Sequence, residues 1–133
     1  MSKPIKEFIK EVHENAKAHG WHDEQRTFGE IIALIHSELS EALEFERDKN
    51  NTRYMKGRID YRYHYSGDGY IATEPIERTT NKPDGVLPEL ADVVIRIFDY
   101  VGSIDRVDDF IRAVKEKHEF NKTRPYKHGG KTI

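Results

Sequence analysis

Two segments of this chain repeat apolar residues at helical spacing and carry acids among them. In the first, Phe28, Ile31, Ile32, Ile35, Leu39, Ala42 and Leu43 form one stripe, and Glu38 and Glu41 sit within it. In the second, Leu87, Leu90, Val94, Ile97 and Val101 repeat in the same way around Glu89 and Asp92. Each acid pair is spaced i, i+3, so its two carboxylates share a helix face one turn apart. A carboxylate beside an apolar stripe is costly to bury unless it is paired or holds a cation. The fold must therefore offer these acids either water or a counter-charge.

Spacing alone is weak evidence. Glu11/Glu14, Glu41/Glu44, Glu74/Glu77 and Glu116/Glu119 share it, in a chain with 24 acids. Context separates Glu38/Glu41 and Glu89/Asp92 from the rest. Two readings stand at this level. Either the four acids lie at the stripe edges and stay solvated, or two facing helices bring them together around a divalent cation. The chain has no cysteine. An all-oxygen ligand set suits Mg²⁺ or Mn²⁺. A di-iron carboxylate bundle would need Glu-x-x-His twice, and no Glu-x-x-His occurs.

Around these two helices the pattern predicts two more. Pro4 suits a first turn, with Ile5, Phe8, Ile9, Val12 and Ala16 at helical spacing and Gly20 as the stop. Thr27 opens the second helix with Glu30 three residues on, a capping-box pattern, and Asn50-Asn51 closes it. Gly102 is expected to end the third helix and Ser103 or Asp105 to cap a fourth, with Val107, Phe110, Ile111, Val114 and Phe120 on its apolar side. Residues 52–82 break the helical pattern. They hold five of the seven tyrosines, and Ile59, Tyr61, Tyr63 and Tyr65 alternate with Asp60, Arg62 and His64. The Gly-rich Ser66-Gly67-Asp68-Gly69 and the β-prone Tyr70-Ile71-Ala72-Thr73 follow, which suggests a β-hairpin, with a mobile loop as the alternative. The expected fold is all-α: four helices with a Tyr-rich insertion between the second and third. It forms a single domain over residues 1–133, ending in a basic tail at 125–133.

Composition narrows the class. At 133 residues with 36% hydrophobic and 35% charged residues, the chain has little apolar surplus, which favours a core shared between subunits. Net charge is −2, which argues against a nucleic-acid binder. The charge is uneven: residues 112–133 carry seven Lys/Arg against two acids, leaving −7 on residues 1–111. No apolar run is long enough to span a bilayer and the N-terminus has no apolar signal core, so a cytoplasmic protein without membrane contact is expected.

The segments Phe28-Gly29-Glu30-Ile31-Ile32-Ala33-Leu34-Ile35-His36-Ser37-Glu38-Leu39-Ser40-Glu41 and Pro88-Glu89-Leu90-Ala91-Asp92-Val93-Val94-Ile95-Arg96 resemble the MazG-type all-α nucleoside triphosphate pyrophosphohydrolases. That family carries Glu-x-x-Glu on one helix, Glu-x-x-Asp on the next, and Lys-x-x-x-Asn-x-x-Arg on a fourth. The last reads here as Lys117, Asn121 and Arg124. The resemblance covers residues 5–47 and 83–131.

It implies a MazG-like bundle assembled as a homodimer or homotetramer. It also implies Mg²⁺-dependent hydrolysis of a (deoxy)nucleoside triphosphate to the monophosphate and pyrophosphate, in nucleotide-pool cleansing. Glu38, Glu41, Glu89 and Asp92 would be metal ligands, with Glu38 also the catalytic base. Lys117, Asn121 and Arg124 would bind phosphate, and Trp21 would stack on the base. The 47 residues between Glu41 and Glu89 exceed the family's usual separation, and Arg96 stands where some relatives place an aromatic near the sugar. Two alternatives stand beside this. One is a catalytically silent helical module that engages a partner through the Tyr-rich insertion. The other is a pyrophosphohydrolase acting on a different nucleotide-linked pyrophosphate.

Overall fold

A computed structural model of the chain describes residues 3–47, 53–56, 59–65, 70–77 and 85–126, with side chains for 3–47 and 85–126. Four helices occupy the expected places: α1 (Ile5–Ala18), α2 (Phe28–Arg47), α3 (Val86–Ser103) and α4 (Val107–Thr123). The contacts divide the chain into two compact units, Met1–Trp21 with Phe98–Ile133, and His22–Ile97.

In the first unit α1 packs against α4. Ile9 (fully buried), Ala16, Val101 and Val107 form the apolar interior. Phe98 links the helices through edge-on contacts with Phe8 at 6.1 Å and Phe110 at 6.4 Å between ring centroids. His13 Nδ1 lies 2.9 Å from Asp99 Oδ1, and both side chains are largely buried. Lys6 pairs with Asp108 at 2.9 Å.

Gly102 stands one residue before the end of α3, close to the expected stop. It lies inside the last turn of α3, and a Cβ there would come within 2.6 Å of the His13 Cβ. The missing side chain also permits a close helix approach there. The expected cap of α4 is different. Arg106 occupies the N-cap with no side-chain cap bond, while Asp105 takes a left-handed φ of 54° in the turn before it. Asp108 and Asp109 in the first turn complement the helix dipole instead. At the other end, Gly20 (φ 82°) closes α1 as read, and the backbone N–H of Trp21 bonds back to the Ala16 carbonyl at 3.0 Å.

In the second unit α2 begins as its capping-box sequence requires, the Glu30 N–H donating to Thr27 Oγ1 at 3.1 Å. Its expected end at Asn50-Asn51 lies outside the described residues. The insertion holds a three-stranded antiparallel sheet in the order β1 (Arg53–Lys56), β2 (Ile59–Tyr65), β3 (Tyr70–Glu77). The β2–β3 hairpin is the one expected from the alternation, with Tyr65 opposite Tyr70. A bulge between Arg62 and Tyr63 shifts its register. The sequence pattern did not give β1, which pairs Tyr54 with Tyr61. Pro75 lies on β3, an edge strand, where proline is best tolerated in a sheet. The basic tail from 127 onward lies outside the described residues. No helix among the described residues is long and apolar enough to cross a membrane.

Candidate metal centre

The acid motifs meet within the second unit. Glu38 from α2 and Glu89 and Asp92 from α3 each offer a carboxylate oxygen, and these oxygens lie within 4.8 Å of one another. Glu38 and Glu89 are only 8% and 7% exposed, while Asp92 and Glu41 are exposed. The apolar stripes are only partly covered here, with Ile31, Ile32, Ile35 and Ile97 half-buried. On α2 the buried residues are Glu38 and Ala42, whereas Leu39 and Leu43 are 42% and 48% exposed. On α3 Glu89 is buried, whereas Leu87, Leu90 and Val94 are 53%, 40% and 44% exposed. The solvated-edge reading therefore fails for Glu38 and Glu89 and holds for Glu41 and Asp92.

Such a cluster has an electrostatic consequence. The Glu89 carboxyl is pushed up from 4.5 to about 8. Burial is the largest cause, followed by hydrogen bonding to Glu41 and Glu38, then by the negative charge of Glu41 and Asp92. Glu41 thus belongs to the same group through its effect on Glu89. Glu89 Oε2 is buried and makes no hydrogen bond. A buried carboxylate oxygen without a partner is costly. A cation bounded by these oxygens would relieve it. The all-oxygen donor set fits a hard divalent ion such as Mg²⁺ or Mn²⁺.

The motif reading did not assign a role in the cluster to Arg96. Its Nε and Nη2 both approach Glu38 Oε1 at 2.9 Å. The signal was present, since Glu89, Asp92 and Arg96 are spaced i, i+3, i+7 and share one face of α3.

The predicted phosphate-binding residues belong to the first unit. Lys117 and Asn121 lie on the exposed last turns of α4, and Arg124 follows at its C-cap in extended conformation. Lys117 Nζ and Arg124 Cζ lie 5.7 and 5.9 Å from the centroid of the Phe120 ring. The two cations are thus gathered about one aromatic side chain. Trp21, the predicted base-stacking residue, is 42% exposed just after α1. Comparison with family models, with curated proteins and with solved structures finds no match to this chain.

Proposed function

We propose that the chain is a Mg²⁺-dependent pyrophosphohydrolase that converts a (deoxy)nucleoside triphosphate to the monophosphate and pyrophosphate. The observation that carries this reading is the acid cluster of α2 and α3. Two nine-tenths-buried glutamates converge with Asp92, and one of them keeps an unpartnered oxygen. Surface carboxylates scattered at i, i+3 spacing do not need such an arrangement. A cation held by Glu38, Glu41, Glu89 and Asp92 would supply Lewis-acid charge to the triphosphate and a more acidic water. Glu38 is the residue assigned to accept the proton of that water. Lys117, Asn121 and Arg124 are assigned to phosphate, as exposed donors suited to anionic oxygens. Trp21 is assigned to the base.

Self-association is part of the proposal. Among the described residues the buried apolar set is Ile9, Ala16, Ala42, Val101 and Val107. Of the α2 and α3 stripes, Phe28, Leu39, Leu43, Leu87, Leu90 and Val94 stay exposed. A homodimer or homotetramer would cover them.

The test is product analysis. With Mg²⁺ and a panel of NTPs and dNTPs, the expected products are a monophosphate and pyrophosphate. A diphosphate with orthophosphate, or no turnover by folded protein, would refute the activity.

A further inference from the structure

Glu38 and Glu89 are about equally buried, but their surroundings differ. Glu89 has an oxygen with no hydrogen bond. Glu38 meets a guanidinium whose Nε and Nη2 converge on its Oε1 at 2.9 Å. The side chains of this pair are 11% (Glu38) and 25% (Arg96) exposed, so solvent screens it only in part. The pair ties α2 to α3 across 58 residues of sequence, and Arg96 leaves α3 on the face that carries Glu89 and Asp92.

We infer that Arg96 is the internal counter-cation of this cluster, a positioning residue that holds Glu38 in place when no metal is bound and competes with an incoming cation for its charge. The inference rests on the reading of Glu38 as a metal ligand. Its first half, the support of a buried carboxylate, stands without it. The physical reason has two parts. A carboxylate this buried, with Glu89 and Asp92 within 4.8 Å, is strongly destabilising if left without a positive partner. Like charges a few ångströms apart also oppose each other. A guanidinium already on one of the four prospective ligands therefore lowers the affinity of the site for a divalent ion. Removing Arg96 should act in opposite directions on the metal-free fold and on cation binding. A residue that merely packs would not do that.

The experiment uses the full chain and two readouts: melting in EDTA, and Mn²⁺ binding by calorimetry. Arg96→Met keeps the length of the stem and removes the charge. It is expected to melt roughly 5 °C or more below wild type in EDTA. It should bind Mn²⁺ roughly tenfold more tightly. Arg96→Lys restores a charge without the two-donor fork and should fall between the two on both readouts. Adding Glu38→Gln to Arg96→Met removes the orphaned carboxylate and should recover most of the lost melting temperature. Wild-type melting of Arg96→Met in EDTA, or Mn²⁺ affinity unchanged or weakened, would overturn the inference. Should Arg96→Met fail to fold, Arg96→Lys decides, and wild-type values on both readouts would overturn it. A wild-type chain that binds no Mn²⁺ refutes the metal reading itself, and with it the competing role of Arg96. The positioning role then stands or falls on the EDTA melts.

Discussion

The two units of this chain bury different chemistry. The first closes on Ile9, Ala16, Val101 and Val107, with an aromatic chain through Phe8, Phe98 and Phe110 and one His13–Asp99 contact. The second puts Glu38, Glu89 and Ala42 inside and leaves Leu39, Leu43, Leu87, Leu90 and Val94 in the open. Both units use amphipathic helices. The difference is that the second unit buries two acids while part of its apolar stripes stays exposed. An apolar interior is stabilising as it stands. An acidic one is costly without a counter-charge, and Arg96 on Glu38 is the positive partner seen in the second unit.

The largest effects expected from this contrast are on turnover. Glu38→Gln and Asp92→Asn should each lower it more than about a hundredfold, beyond what outer-shell changes at metal sites cause, with the helical circular dichroism retained. Near-normal rates in either variant would break the assignment. Next come substitutions in the apolar unit. Ile9→Ala should cost about 2–4 kcal/mol in chemical denaturation. Gly102→Ala should cost about 1–3 kcal/mol, because the new methyl meets His13. Values near zero would show that the first unit does not depend on this close packing.

A smaller and opposite effect is expected in the acidic unit. Glu89 keeps its proton in the folded state up to about pH 8, whereas the unfolded chain loses it near 4.5. The stabilisation from that proton is fully present below 4.5 and is lost as pH rises to about 8. Melting in EDTA should therefore fall across this window through the Glu89 contribution. Glu89→Gln should flatten the fall and melt higher than wild type at pH 8. Added Mg²⁺ should raise wild-type melting most at the high end of the window, where no proton has to be displaced. A Glu89→Gln variant less stable than wild type in EDTA at pH 8 would contradict a buried, uncompensated acid. The smallest effect on the single chain should come from Leu43→Lys. Exposed already, this residue should change chain stability by less than about 0.5 kcal/mol. Light scattering should nevertheless show a smaller assembly. A monomeric wild type would end the shared-core argument.

Much of the helical framework was legible along the chain. Thr27 with Glu30, Gly20 and the apolar periodicities locate the four helices because capping and periodicity are local properties, although the cap of α4 is Arg106 and not the expected Ser103 or Asp105. Legibility failed where a distant residue decided. Gly102 reads as a stop and α3 does end beside it, but the close approach of His13 at that glycine was not legible. The alternating residues of β2 announce a hairpin, but the short β1 carries too little pattern of its own and exists by pairing with β2.

The candidate site divides in the same way. Composition and motif spacing alone determined that two helices carry paired acids, that no thiolate chemistry is available, and that a metal held by those acids would be oxygen-ligated. They could not determine burial, because i, i+3 acids lie equally well on a wet edge or in a dry interior. The tertiary structure decided that Glu38 and Glu89 are inside and their leucine neighbours outside. It also placed Arg96, from 58 residues away, on Glu38. The reason is that burial and ion pairing depend on which helix faces are brought together, and a single helix's sequence does not contain its partner.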